Sequence, residues 1–147
     1  AEDLLDLVRA RGGTDEPLLR QRLARLYTES EILRLIRLRT VTAAIKGHEP
    51  GPEASVRKVL ADEHGQHVMG LAKDLAGAGG MLTDVGPMGG DVGVWHYGFL
   101  FSTALTIGGG TGEVQRNILG ERVLGLPHEI DVEEGRTWAE TRRAAAG

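Results

Sequence analysis

The sequence predicts an all-α protein folded as an antiparallel, up-and-down four-helix bundle. Apolar residues recur at three- and four-residue intervals through long stretches of the chain, as core-facing helical stripes do, and no stretch alternates as a strand would. Leu, Ala, Val and Arg dominate the first half while aromatics make up only 4% of the 147 residues, a balance that favours helix over sheet. The 22 glycines gather mainly at 77–93 and 108–112. The His48–Pro52 turn between the two longest helices is too short to join anything but antiparallel neighbours.

Residues 2–11 read as a short helix with Leu4, Leu5 and Val8 on one face, stopped by Gly12 and Gly13. Thr14 or Asp15 is the expected cap of a second helix, with Pro17 in its first turn. That helix spans about 16–47. Leu19, Leu23, Leu26, Leu33, Ile36, Ala44 and Ile45 form its apolar stripe, and Arg20, Arg22, Arg25, Arg34, Arg37 and Arg39 lie largely off it as a solvated face. Gly47 and the run His48-Glu49-Pro50-Gly51-Pro52 end it. A third helix follows over about 53–76, carrying Val56, Val59, Leu60, Val68, Leu71 and Leu75. After the Gly-rich connection at 77–93, a fourth helix runs from about Val94 to Thr106, with Trp95 and Phe99 expected in the core. A fifth begins around Thr111, carries Val114, Ile118, Leu119 and Val123, and ends at Gly125 and Pro127. Residues 1–127 thus form the bundle domain, and 128–147 a polar tail that is loose or only locally helical.

Composition excludes several function classes. There is no cysteine, so disulfides, thiolate zinc sites and cysteine nucleophiles are ruled out. Seventeen Lys and Arg against 21 Asp and Glu give a formal charge of −4, which argues against a nucleic-acid partner. No apolar run approaches the roughly 18 residues of a membrane span, and the acidic start AEDLLDLVRA is not a secretory signal. The expected setting is the cytoplasm.

Two corners are candidates for binding. In Ile107-Gly-Gly-Gly-Thr-Gly-Glu-Val-Gln-Arg116 the glycines permit a sharp turn or a close approach, and Thr111 opens a helix whose start suits a phosphate. The same pattern also suits a plain helix–helix corner with an ordinary Thr cap. It is not a Walker motif, because no Lys follows the glycines at the needed position. The second corner, Leu75-Ala-Gly-Ala-Gly-Gly-Met81, doubles as a glycine C-cap. His64 and His67, three apart beside Asp62 and Glu63, have a spacing a metal can use. No partner motif repeats on another helix, so no metal site is assigned and 62–67 is expected to be solvated or subunit-facing.

The run Ile107 to Pro127 (IGGGTGEVQRNILGERVLGLP) closely resembles the C-terminal signature of acyl-CoA dehydrogenases, in which Gly-Thr opens a helix followed by a Gln-Arg-Asn-Ile type run and a closing Leu-Gly-Leu-Pro. Upstream pieces match in order: Leu75 to Gly80 resembles the family's glycine corner, Ala54 to Leu60 (ASVRKVL) its Ser-x-x-Lys helix start, and Arg20 to Tyr27 (RQRLARLY) an earlier bundle helix. The resemblance covers nearly all of 15–127.

The resemblance implies an N-terminal helical domain, a middle β-domain and this C-terminal bundle, with FAD between domains and across a subunit interface. It implies removal of the α-proton of an acyl-CoA by a carboxylate, hydride transfer from the β-carbon to flavin N5, a trans-2-enoyl-CoA product, and an electron-transfer flavoprotein as acceptor. The family's earlier bundle helix, with its flavin-contacting Arg, falls before residue 1, so the chain is N-terminally truncated relative to the family. Residue by residue, Thr111 matches a Thr that helps hold FAD. Glu113 stands where many members have Gln or Glu near the flavin nucleotide. Gly77 and Gly80 match the other FAD-facing corner, and Asp74 stands in place of a Gln that contacts FAD in some members. Many members carry Tyr-Glu immediately before Gly-Thr, and that Glu is the base. Here the two positions are Gly108 and Gly109, so no catalytic residue is assigned. Some members place the base on an earlier helix, and others pair a catalytic subunit with one that lacks it. The chain is therefore expected to be inactive alone and to act within a homo- or hetero-oligomer. The alternatives are a non-catalytic subunit of a heteromeric dehydrogenase and a free-standing helical interaction module.

Overall fold

A computed structural model describes residues 2–10, 12–81, 92–128 and 135–145. Its elements are helices α1 (Glu2–Ala10), α2 (Pro17–Ile45), α3 (Ala54–Ala76), α4 (Val92–Leu105), α5 (Gly112–Ile118) and α6 (Trp138–Ala145). A short 3₁₀ turn, Gly77–Met81, follows α3, and a π turn, Leu119–Val123, extends α5. Among the described residues there is no strand. The middle of the Gly-rich connection, 82–91, and tail residues 129–134 lie outside the described residues.

The register of side-chain contacts shows the antiparallel arrangement directly. Arg22 of α2 meets Asp74 of α3, while Glu29, further along α2, meets His64 and His67, earlier in α3. On the other side of α3, Lys58 reaches Leu105, Gln66 reaches Ser102, and Lys73 reaches His96. Helix α3 is therefore the central element, packed against α2, α4 and α5. The core is Leu4 and Val8 of α1, Leu23 and Leu26 of α2, and Val68, Leu71 and Ala72 of α3, with Leu5, Leu19, Leu75 and Trp95 packed around it.

Several expectations are corrected. The α2 cap is Glu16, not Thr14 or Asp15: its carboxylate accepts from the amides of Leu18 at 2.9 Å and Leu19 at 2.5 Å, while the Thr14 hydroxyl accepts from Glu16 N. Pro17 at the first position leaves those two amides as the donors needing an acceptor, and a longer carboxylate reaches them. The apolar stripe of α2 continues into its second half through the half-buried Leu33 and Ile36 and fails at the end of the helix. Ile45 is 81% exposed and Ala44 is exposed, and Leu35, Leu38 and Val41 also face solvent. This half is apolar on more than one side, so no single neighbour can cover it. Phe99 is not core: it is 38% exposed and lies under the Lys73 ammonium. The tail does form a local helix, α6, opened by Glu140 accepting from the Thr137 amide and hydroxyl at 2.7 Å.

Candidate functional site

The stretch 62–67 is not a solvated face. Asp62 is buried and paired with Lys58 one turn earlier. Glu29 Oε2 meets His64 Nδ1 at 3.0 Å and His67 Nδ1 at 3.3 Å, while Arg25 Nε donates to Glu29 Oε1 at 2.8 Å. Burial pushes the Glu29 carboxyl up. The hydrogen bonds from Arg25, His64 and His67 outweigh it and hold the group below the usual carboxylate range. Among the described residues no cluster of His, Asp and Glu is arranged to hold a metal ion.

The Gly-Gly-Gly-Thr corner joins α4 to α5. Gly109 and Gly110 have φ of 72° and 93°, in the left-handed region where a side chain is disfavoured. A Cβ on Gly109 would sit 3.4 Å from Lys58 Cε, and one on Gly110 would sit 2.6 Å from Gln115 Nε2. Gln115 Nε2 closes the turn by donating to Gly109 O at 3.1 Å. Lys58 supports the corner from below, donating to Leu105 O at 2.7 Å and to Asp62. Thr111 is the helix cap, its hydroxyl accepting from Val114 N at 3.3 Å, and α5 opens around Thr111 as expected. Glu113 is exposed. Its own backbone amide, then the Thr111 hydroxyl and the nearby Arg116, hold its carboxyl below the usual range.

Thr111 and Glu113 share a cleft of about 410 Å³ with Val59, Glu63, Thr106 and Arg116. Arg116 is paired with Glu63, and Asp62 also lines the cleft. Three carboxylates against Arg116 and the nearby Lys58 leave an acidic balance, which disfavours a phosphate here despite the helix start. Hydroxyl, amide and carboxylate groups instead suit the neutral, hydrogen-bonding parts of a dinucleotide: its sugar hydroxyls or a ring edge.

The second corner lies elsewhere. Gly77 has φ of 54°, and Gly80 is buried, where a Cβ would sit 2.9 Å from Lys73 O and 3.2 Å from Ala76 Cβ. The Thr111 cleft touches α3 near Asp62, whereas Gly77 follows the end of that helix. Fifteen residues at 1.5 Å each separate the two levels by roughly 20 Å. The structure thus brings Thr111 and Glu113 together, and Gly77 and Gly80 together, but keeps the pairs apart along α3, one beside its Val59–Gln66 stretch and the other past its C-terminal end.

A sequence profile described as "Acyl-CoA dehydrogenase, C-terminal domain" matches residues 3–124. The chain belongs to the acyl-CoA dehydrogenase family. Within the family it is 35% identical over 128 residues to acyl-CoA dehydrogenase IpdE1 of Mycolicibacterium smegmatis, covering 87% of this chain and 30% of that protein. Among solved structures it resembles the Tcur3481–Tcur3483 steroid ACAD, with a TM-score of 0.70 and 26% identity over 87% of this chain and 33% of that one. It also resembles the ChsE4–ChsE5 complex of Mycobacterium tuberculosis, with a TM-score of 0.66 and 33% identity over 87% of this chain and 35% of that one. The chain spans about a third of the length of these relatives. Among its described residues, no helix of this C-terminal domain is long and apolar enough to cross a membrane.

Reading the sequence alone missed Lys58, Asp62 and Gln115 as supports of the Thr111 corner. The Lys58–Asp62 spacing of four on a helix was the available signal. It says that the two side chains can meet, not that they meet under a glycine turn from another element.

Proposed function

We propose that this chain is the FAD-contacting and oligomer-forming C-terminal bundle of an acyl-CoA dehydrogenase acting on an acyl-CoA, with an electron-transfer flavoprotein as acceptor. The observation that carries this reading is the Gly108–Thr111 corner, which presents the Thr111 hydroxyl and the Glu113 carboxylate to one cleft. When bound, FAD supplies the hydride-accepting chemistry, and the protein supplies position and electrostatics. Thr111 and Glu113 would hold its neutral polar parts. Gly77 and Gly80 would form the other corner: backbone approach is open at the exposed Gly77, where a Cβ would meet nothing within 4 Å, while Gly80 packs inward beneath it against Lys73 and Ala76. Because one chain keeps the two corners roughly 20 Å apart along α3, two chains offering opposite corners suit a single flavin in an assembly. The broad exposure of Leu35, Leu38, Val41, Tyr97, Leu100 and Phe101 agrees with a bundle that packs against further protein.

Gly109 bears no group to accept a proton, so the base comes from outside this corner. That favours a second, narrower reading: the non-catalytic member of a heteromeric dehydrogenase, in keeping with its likeness to the two-component ChsE4–ChsE5 complex. The test is flavin retention in the protein as its gene encodes it. Thr111→Val should lose bound FAD on dialysis, whereas Thr111→Ser, which keeps both cap and hydroxyl, should hold it. Equal FAD content in all three proteins would remove Thr111 from the flavin site.

A further inference from the structure

Lys73 lies in the last turn of α3, where a cation is favoured by the carbonyl end of the helix. Its ammonium does not cap its own helix. It reaches forward to donate to Gly80 O, contacts His96 Nδ1 of α4, and lies 5.5 Å from the centre of the Phe99 ring. His96 Nδ1 is itself 3.2 Å from the same Gly80 carbonyl. One oxygen thus gathers the end of α3, the 3₁₀ turn and the beginning of α4. The backbone agrees with the side chains: Gly80 folds back so closely on Lys73 that a Cβ there would press on Lys73 O at 2.9 Å.

His96 carries a cost that identifies which edge of its ring matters. Its Nε2 is buried with no hydrogen-bond partner among the described residues. If Lys73 donates to Nδ1, Nε2 is an orphan donor. If Nδ1–H donates to Gly80 O, Nε2 is an orphan acceptor. Either tautomer leaves one nitrogen desolvated and unpaired, a penalty that an apolar side chain of similar shape would avoid. What an imidazole adds at this position is therefore its Nδ1 edge, which among the described residues meets Lys73 and Gly80.

We infer that Lys73 and His96 are positioning residues that clasp the Gly77–Met81 corner by the Gly80 carbonyl and hold it in the shape a bound dinucleotide meets. The inference rests on the reading of Gly77 and Gly80 as the second flavin-facing corner, but the clasp itself can be measured without flavin. Neither side chain touches the cofactor in this account. Both act through the Gly80 backbone.

The experiment compares Lys73→Met, His96→Leu and His96→Asn in the full gene product, reading amide hydrogen exchange at 77–81 without added FAD, then FAD retention after dialysis. A charged hydrogen bond to a buried carbonyl predicts exchange at the corner faster by on the order of tenfold to a hundredfold in Lys73→Met and His96→Leu. Exchange around Leu23 and Leu26 should be unchanged. Asn, whose amide oxygen and nitrogen can stand in for the Nδ1 edge, should stay near the parent in both readouts. Wild-type exchange at 77–81 in both Lys73→Met and His96→Leu overturns the clasp. So does an Asn variant as fast as the Leu variant, because the effect would then be packing alone. Faster exchange with unaltered FAD retention upholds the clasp and removes Gly77 and Gly80 from the flavin site. Should His96→Leu fail to fold, the half-buried Lys73→Met still decides the question.

Discussion

Replacing Lys58 with Met tests how the Thr111 corner is held. The Lys58 side chain is 28% exposed and that of Asp62 11%. The ammonium joins the Asp62 carboxylate to the Leu105 carbonyl at the end of α4. Met fills much of the same space but leaves a buried carboxylate unpaired and that carbonyl without its donor. Removing one partner of a buried pair costs about 3–5 kcal/mol, and the partial exposure of Lys58 lowers this to roughly 2–4 kcal/mol. Asp62→Leu should cost less, because the freed ammonium can turn to water. The double variant Lys58→Met/Asp62→Leu strands only the carbonyl, worth about 1–2 kcal/mol. The predicted order is Lys58→Met worst, with the double variant better than the sum of the singles by more than about 1 kcal/mol. Native-state amide exchange across 104–112 reads the local free energy of this corner. Strictly additive changes, or a Lys58→Met effect within about 0.5 kcal/mol of zero, would refute the view that Lys58 holds the corner through Asp62 and Leu105.

The remaining predictions concern the core, the second corner and pH. Leu71→Ala, at a position 2% exposed, should destabilise the protein by about 2–5 kcal/mol. Leu18→Ala, at 74% exposure, should stay within about 0.5 kcal/mol, and urea unfolding distinguishes the two. Gly80→Ala should cost about 1–3 kcal/mol through the clash with Lys73 O. Gly79→Ala, where a Cβ meets nothing within 4 Å, should be nearly silent in the same assay. Glu29 is held below the usual carboxylate range, so its contribution to the α2–α3 junction is full above that range and is lost as pH falls through its depressed value. Glu29→Gln should therefore weaken the protein at neutral pH and flatten the acid limb of its stability curve, measured by acid unfolding of parent and variant.

The fold was largely legible because helix periodicity and Gly/Pro punctuation are local signals. Pro17, Gly47 and the 48–52 run mark the ends of α2, and Leu23, Leu26, Val68 and Leu71 are on the faces that pack. What periodicity cannot show is whether an apolar face has a neighbour. Ile45 and Phe99 were read as core for that reason, and both face outward. The capping error has a different cause: short polar residues are the usual caps, but Glu16 is the residue immediately before Pro17 and so holds the cap position, from which its carboxylate meets the two amides beyond Pro17. At the candidate site, the two glycine corners were legible as unusual backbone. Their separation along α3, and the acidic lining that turns the Thr111 cleft away from phosphate, depend on which helices pack together and in what register. The buried Asp62 and the Glu29 junction have the same origin, since a polar pair on a helix looks solvated until a second helix covers it.

The most direct test of the account is the flavin content of the purified gene product, measured by absorbance and by FAD released on denaturation. Bound FAD in stoichiometric proportion to an assembly containing this chain, lost in Thr111→Val and kept in Thr111→Ser, is the predicted result. A purified protein, alone and with its co-purifying partner, that holds no FAD and takes none up on dialysis would contradict it.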